Sequence, residues 1–341
     1  MGDRLAAAAS RANSSPSPPA PKIGGRRLFF ACNGSMEGLS ARPSKSWPAR
    51  RRGSTMKFRL GCDLEYKILQ ETVFIFNFQV AKLQRHKGLT DSLTLKPDLP
   101  VVDYTVPDLQ NRYIRVLAQP GDFSVHYTAE VDLHVHRTDP TSVREMDVRD
   151  LPLDILPQLL PSRFVPSDRL ADFAYREFGD FPRGYERVSA ICSWIYQNID
   201  YRRGSSNSET TATEILIQRA GVCRDFAHLG IAFCRALGIP ARLVSCYAFG
   251  LSPADFHAVF EAYLDGRWWL FDATRQAALD GLVRIGVGRD AAEIAFATPF
   301  GLMEPGPINI WIERADGEPE PTPRTTDAIS TEEPAPNAGA A

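Results

Sequence analysis

Residues 123–135 alternate apolar and polar side chains: Phe123, Val125, Tyr127, Ala129, Val131, Leu133 and Val135 interleave with Ser124, His126, Thr128, Glu130, Asp132 and His134. Period two predicts a strand with one buried and one wet face. Residues 112–118 and 65–80 are also β-rich, and Gln119-Pro120-Gly121-Asp122 supplies turn chemistry. An antiparallel β domain is therefore expected over 56–140. Residues 141–167 form a Pro-rich connection, with Pro140 at its edge and Pro152, Pro157, Pro161 and Pro166 inside it. Helices are predicted at about 168–178, capped by Ser167 and ending near Gly179, and at 184–198, where Val188, Ile191, Cys192, Ile195 and Ile199 form one stripe. A further helix starts after Gly221: Phe226, Leu229, Gly230, Phe233, Cys234 and Leu237 share a face, and Gly238-Ile239-Pro240 ends it. Strands are expected at 242–249, 257–264 and 267–272, the last two joined by Asp265-Gly266, a strong hairpin signal. The fold class is α+β, with a core of helices and antiparallel strands over 168–314.

Composition changes this picture mainly at the ends. The 341 residues are 44% hydrophobic and 23% charged with a net charge of -2, enough apolar material for a large core and about two domains. Residues 1–55 hold ten Lys/Arg against two Asp/Glu, including Arg50-Arg51-Arg52, and read as a disordered basic extension. Arg26-Arg27 before Leu28-Phe29-Phe30-Ala31-Cys32 faintly resembles a secretion signal, but the apolar run is shorter than the roughly 7–15 residues such a signal needs. Met56, where ordered-looking sequence begins, is read as the start of translation. Residues 315–341, acidic and with five prolines, read as a disordered tail. The near-neutral charge argues against a nucleic-acid partner, and no run approaches the ~18 apolar residues of a membrane helix. The six cysteines form no CxxC pair, so neither a disulfide framework nor a thiolate zinc site is expected, and a reducing, cytoplasmic location follows. His134 and His136 lack a third ligand and are read as solvated side chains. No cofactor is called for.

The chemistry concentrates between Thr210 and Arg275. Cys223 falls in the first turn of its predicted helix, where free N–H groups and the positive end of the macrodipole favour a thiolate and can donate to an oxyanion. The Asp265-Gly266 turn sets a register in which Leu264 faces Arg267, Tyr263 faces Trp268 and Val259 faces Asp272. His257 then shares a sheet face with Asp272 as its diagonal neighbour, about 7 Å away, within reach of an imidazole–carboxylate hydrogen bond. Cys223, His257 and Asp272 read as nucleophile, base and orienting carboxylate, the set needed for amide acyl transfer through a thioester.

The run Gly221-Val222-Cys223-Arg224-Asp225-Phe226-Ala227-His228-Leu229, with Leu237-Gly238-Ile239-Pro240-Ala241-Arg242 and the stretch from His257 to Thr274, resembles the transglutaminase-like superfamily. The resemblance covers about 185–300. It implies a papain-like core with Cys, His and Asp in this chain order, and the 56–140 segment looks like the β domain that precedes this core in bacterial members. Val259-Phe260 departs from the commoner aromatic-then-aliphatic pair, and neither it nor Arg275 touches the triad. The superfamily includes transglutaminases, peptidases, deamidases and inactive members.

His228, one turn past Cys223, competes as a base but is read as a core histidine, and Asp225 as a helix-terminus stabiliser. Trp194, Tyr201 and Gln218 are the candidate side-chain oxyanion donors. The expected activity is hydrolysis of peptide or isopeptide bonds, since no calcium loop or second amine site is visible. Amine transfer to protein glutamine, a silent peptide-binding module and a zinc-dependent hydrolase are the alternatives. The expected partner is a peptide or protein substrate, with no membrane.

Overall fold

The computed structural model describes residues 56–315 and 326–332. The basic extension and its Cys32 therefore lie outside the described residues. The chain begins with β1 (Met56–Ile68), β2 (Thr72–Phe76), β3 (His86–Lys96), β4 (Val101–Thr105), β5 (Arg112–Ala118) and β6 (Gly121–Leu133). The alternation in β6 buries Phe123, Val125, Tyr127, Ala129, Val131 and Leu133, and β6 pairs antiparallel with β1 from Met56 opposite Leu133 to Ile68 opposite Gly121. The turn after β5 moves the chain from one sheet to another: β5 pairs with β2 and β4, β6 with β1 and β3. The two sheets close on an aromatic core, with Tyr66 and Phe74 at 4.9 Å and Phe74 and Phe123 at 5.4 Å between ring centroids.

A short β7 (His136–Thr138) and several 3-10 turns lead to α1 (Ala171–Phe178), α2 (Tyr185–Asn198), β8 (Asp200–Tyr201), α3 (Ala212–Gln218), β9 (Ala220–Gly221) and α4 (Cys223–Ala236). Ser167 does not cap: it lies inside a 3-10 turn that runs into α1, and no side-chain cap forms there. The predicted stripe of α2 is buried. α4 is buried on every side from Cys223 to Arg235, not on one face as its periodicity suggests. It lies between a sheet and the other helices, and its charged residues are satisfied there; Arg235, for example, donates to the carbonyls of Leu160, Ala241 and Arg289. Gly238 at φ +79 ends the helix, with Ile239 N–H bonded to the Cys234 carbonyl at 2.9 Å.

β10 (Ala241–Ala248), β11 (Phe256–Leu264), β12 (Arg267–Phe271) and β13 (Leu282–Gly288) form the core sheet in the order β12-β11-β10-β13. Two of the expected boundaries need correction. β14 (Ala297–Phe300) and β15 (Met303–Arg314) leave the core and complete the N-terminal sheets, pairing with β2 and β1. Within the tail expected to be disordered, residues 326–332 are placed, and β16 (Ala328–Ser330) pairs with β7 and is buried. The β domain and core are tightly joined: Asn111 exchanges two hydrogen bonds with the Val287 backbone, at 2.7 and 2.9 Å, and Tyr247 Oη donates to the Phe78 carbonyl at 3.0 Å.

Candidate active site

The hairpin has the predicted register, Leu264 opposite Arg267 through Phe260 opposite Phe271, with Asp265 and Gly266 at φ 51 and 72 in the turn. His257 and Asp272 meet: Nε2 lies 3.1 Å from Asp272 Oδ2. Three further donors hold the carboxylate. Oδ1 accepts from Thr274 N–H at 2.8 Å and Thr274 Oγ1 at 2.7 Å, and Oδ2 accepts from Ala277 N–H at 3.3 Å. Burial pushes the Asp272 carboxyl up, but the charge of His257 and the bonds from His257 and Thr274 outweigh it and hold the pKa below the ordinary carboxylate value. Thr274 is not among the residues that the sequence singles out for a role. The signal was the Asp-x-Thr spacing, which allows an Asp side chain to bind the backbone two residues on.

Cys223 is the first residue of α4 and is 1% exposed. Asp225, three residues after Val222, bonds back to the Val222 N–H at 2.9 Å, as expected of a helix-terminus stabiliser, and Arg224 offsets its charge at 2.7 Å. α4 rests on β11 at Gly230, where a Cβ would come within 2.6 Å of the Phe260 ring. The turn after α4 reverses the chain into β10, and β11 is antiparallel to β10, so α4 and β11 run in the same direction. Cys223 lies about 10 Å before Gly230 along the helix and His257 about 10 Å before Phe260 along the strand, so both fall at one end of the helix–sheet layer.

Phe256, Ala258 and Phe260 belong to the core under α4, Val259 to a cluster on the opposite face, and His257 shares the parity of Val259. The His257 Nε2 is taken by Asp272, and Nδ1 is buried with no partner among the described residues. The structure thus brings His257 and Asp272 together and sets Cys223 at the same end of the layer.

The other candidates sort themselves. His228 is fully buried, stacked on Phe164 at 5.4 Å, with Nε2 accepting from the Ala291 N–H at 3.1 Å; burial lowers its pKa to about 4. It is a neutral core histidine. Trp194 packs edge-on against Phe173 and Phe233 at 5.2 and 5.7 Å, and the Gln218 amide donates to the Ala220 carbonyl at 2.8 Å. Of the three candidate oxyanion donors, Tyr201 is the one on the strand that pairs with Gly221, two residues before the thiol. Arg275 donates to Ser193 on α2 at 2.7 Å and covers Tyr196. Burial pushes the Cys62 thiol up to about 12 and those of Cys192, Cys234 and Cys246 well above the ordinary value, as suits buried small side chains. His134 and His136 are half-buried, and the His136 ring packs 5.7 Å from Trp269. A cavity of about 560 Å³, lined by Tyr185, Glu186, Ser189, Arg275 and Leu279 among others, opens at Asp272.

A helix that begins on a cysteine, laid over an antiparallel sheet carrying a histidine bound to a carboxylate, is the arrangement of papain-like α+β folds. Comparison with known proteins is more specific. Residues 176–273 match the core model of the transglutaminase-like superfamily, and 56–154 match the N-terminal domain of bacterial transglutaminases. A Cytophaga hutchinsonii protein, solved at 1.9 Å as a candidate cysteine protease, is 41% identical, with 82% of this chain and 98% of that chain covered at a TM-score of 0.78. An uncharacterised protein of Mycobacterium leprae is 28% identical over 181 residues, 50% of this chain and 63% of its own length. The human Kyphoscoliosis peptidase is 28% identical over 159 residues, 42% of this chain and 23% of its own length. The chain belongs to the transglutaminase-like superfamily. It spans less than two thirds of the length of these two curated relatives. No helix among the described residues is long and apolar enough to cross a membrane.

Proposed function

We propose that the protein is a cysteine-dependent amide acyl-transfer enzyme acting on a peptide or protein, with water as the preferred acceptor. Cys223 Sγ attacks the amide carbonyl, and His257 Nδ1 takes the thiol proton and passes it to the leaving amine. Asp272 fixes the tautomer by accepting from Nε2–H and steadies the imidazolium. Water, deprotonated by His257, then attacks the thioester and returns the thiol. The observation that carries this reading is the His257–Asp272 hydrogen bond at 3.1 Å with Nδ1 left unengaged, at the end of the layer where α4 begins. The cytoplasmic location belongs to the same proposal and rests on cysteine usage alone.

Iodoacetamide labelling of the folded protein as a function of pH tests it, with Cys223→Ala and His257→Ala as comparators. Fast labelling below pH 7 that vanishes in the first variant and slows in the second is expected. Slow labelling that the His257 change leaves untouched supports a silent binding module instead. Ammonia release compared with amine incorporation on a glutamine peptide separates hydrolysis from amine transfer.

A further inference from the structure

Residues 327–332 are held unlike the other strands of the fold. β16 makes three backbone pairs, Ala328 with Thr138, Ile329 with Arg137 and Ser330 with His136. Beyond them the hold is ionic. The Glu332 carboxylate accepts from Arg242 at 2.6 Å and from Arg284, while its main-chain carbonyl accepts from Arg267 at 2.5 Å and Arg85 at 3.4 Å. Arg284 also donates to Thr331 Oγ1 at 3.0 Å. The side chains of Arg242 and Arg284 are 6% and 1% exposed, and both bind one further carboxylate, that of Glu261. Two buried guanidinium charges against one built-in carboxylate leave the site one negative charge short, and Glu332 supplies it. An unmatched buried charge is strongly unfavourable, and the planar guanidinium fork suits a carboxylate.

Placement makes this more than a core ion pair. Arg85, Arg242, Arg267 and Glu332 stand on the wall of a cleft of about 760 Å³ between the β domain and the core. At the other end of the segment, Thr326 lines the cavity that opens at Asp272. Between the two, Ile329 packs with Cys246 and Val259, on the sheet face whose parity His257 shares. Cys246 lies directly opposite His257 in the sheet.

We propose that Arg85, Arg242, Arg267 and Arg284 form a carboxylate-reading docking site whose ligand is the chain's own segment 327–332, and that docking covers the sheet face carrying His257. Glu332 is the recognition residue, and Asp327, 3.7 Å from Arg137 with its side chain 47% exposed, is peripheral. The test uses the full chain with a protease recognition sequence inserted between residues 320 and 321. The protein is folded, cut and passed over a sizing column, and a synthetic peptide of residues 326–332 is then added in excess. The expected result is a C-terminal fragment that co-elutes after cutting, exchanges with the peptide, and dissociates at least tenfold faster when it carries Glu332→Gln. Asp327→Asn is expected to behave as the unsubstituted fragment does. Equal retention of the Glu332→Gln fragment overturns the proposal. So does a fragment that never exchanges, or loss of folded structure by circular dichroism on cutting, since either makes the segment an integral core strand.

Discussion

Gly230→Ala tests the contact from which the placement of the thiol is derived. In an exposed helix interior this change stabilises by about 1 kcal/mol, because alanine gives up less backbone entropy than glycine. Here the new methyl would meet Phe260 Cε1, Cζ and Cδ1 at 2.6, 2.9 and 3.1 Å. The ring has little room to yield: Phe260 is fully buried and stacked on Phe271 at 5.5 Å and 18°. Overpacking of this kind costs roughly 1–3 kcal/mol, more than the helix gain. The expected net loss is about 1 kcal/mol, or a melting temperature lower by roughly 1–2 °C for a chain of this size. Phe260→Leu makes room, so the double variant should be more stable than the sum of the singles predicts, with a coupling of about 1 kcal/mol. Urea unfolding of the four proteins, followed by tryptophan fluorescence, completes the cycle. A Gly230→Ala protein that gains stability, with singles that simply add, would show that α4 does not rest on Phe260, and the placement of Cys223 beside the histidine-bearing end of the sheet would fail with it.

Three other changes probe the site and its surroundings. Asp272 has a folded pKa below its ordinary value, so its charge contributes stability above the unfolded pKa near 3.9, and that contribution fades as pH falls through the folded pKa; Asp272→Asn should therefore lower the urea midpoint at neutral pH, with the gap closing below about pH 4. Thr274→Val removes the 2.7 Å bond to Asp272, worth about 1.5–3 kcal/mol to a charged acceptor, and should slow Cys223 labelling by about tenfold while Thr274→Ser restores it. Burial lowers the pKa of His86 and His228 to about 4, so both stay neutral in the fold while the unfolded chain takes up protons below about pH 6.5. Stability should fall as pH drops from about 6.5 towards 4, by up to about 3 kcal/mol for each, and His228→Gln should flatten that slope.

What the sequence reveals and what it hides follow from the range of the interactions. The His257–Asp272 pair spans fifteen residues and is set by a two-residue turn whose chemistry is local, so register and partner are both readable. The start of α4 is equally local, marked by a glycine and an acidic residue at its third position. The return of β14 and β15 to the N-terminal sheets is not local: Arg59 pairs with Glu313, and nothing in the composition of either strand names the other. β16 is only three residues long, inside an acidic, proline-containing tail. Its anchor is Arg242, ninety residues away, which in sequence looks like any polar residue of a half-buried strand. The burial of α4 on all sides was hidden because its arginines and aspartate mark a wet face until the carbonyls and carboxylates that satisfy them are seen.

The same difference in range separates two parts of the proposed triad, and the separation can be measured. The histidine and its carboxylate are internal to the β11–β12 hairpin and the turn after it, held by backbone pairing and the bonds from Thr274 and Ala277. The thiol depends on how α4 seats on the sheet, through the packing of Gly230 on Phe260 and the hydrogen bonds from Arg235 to the Ala241 carbonyl. A shift of α4 should therefore move the sulfur and leave the histidine–carboxylate pair intact. In Gly230→Ala, the His257 Nε2–H resonance, shielded from exchange by its bond to Asp272, should keep its chemical shift while the rate of Cys223 alkylation changes several-fold. If both change together, α4 is part of what holds His257 in place, and the pair is not the self-contained unit that the hairpin geometry describes. If neither changes in a protein shown to be destabilised, the strain has been absorbed near Phe260, and the position of the sulfur is fixed by β9 and the first turn of α4 instead.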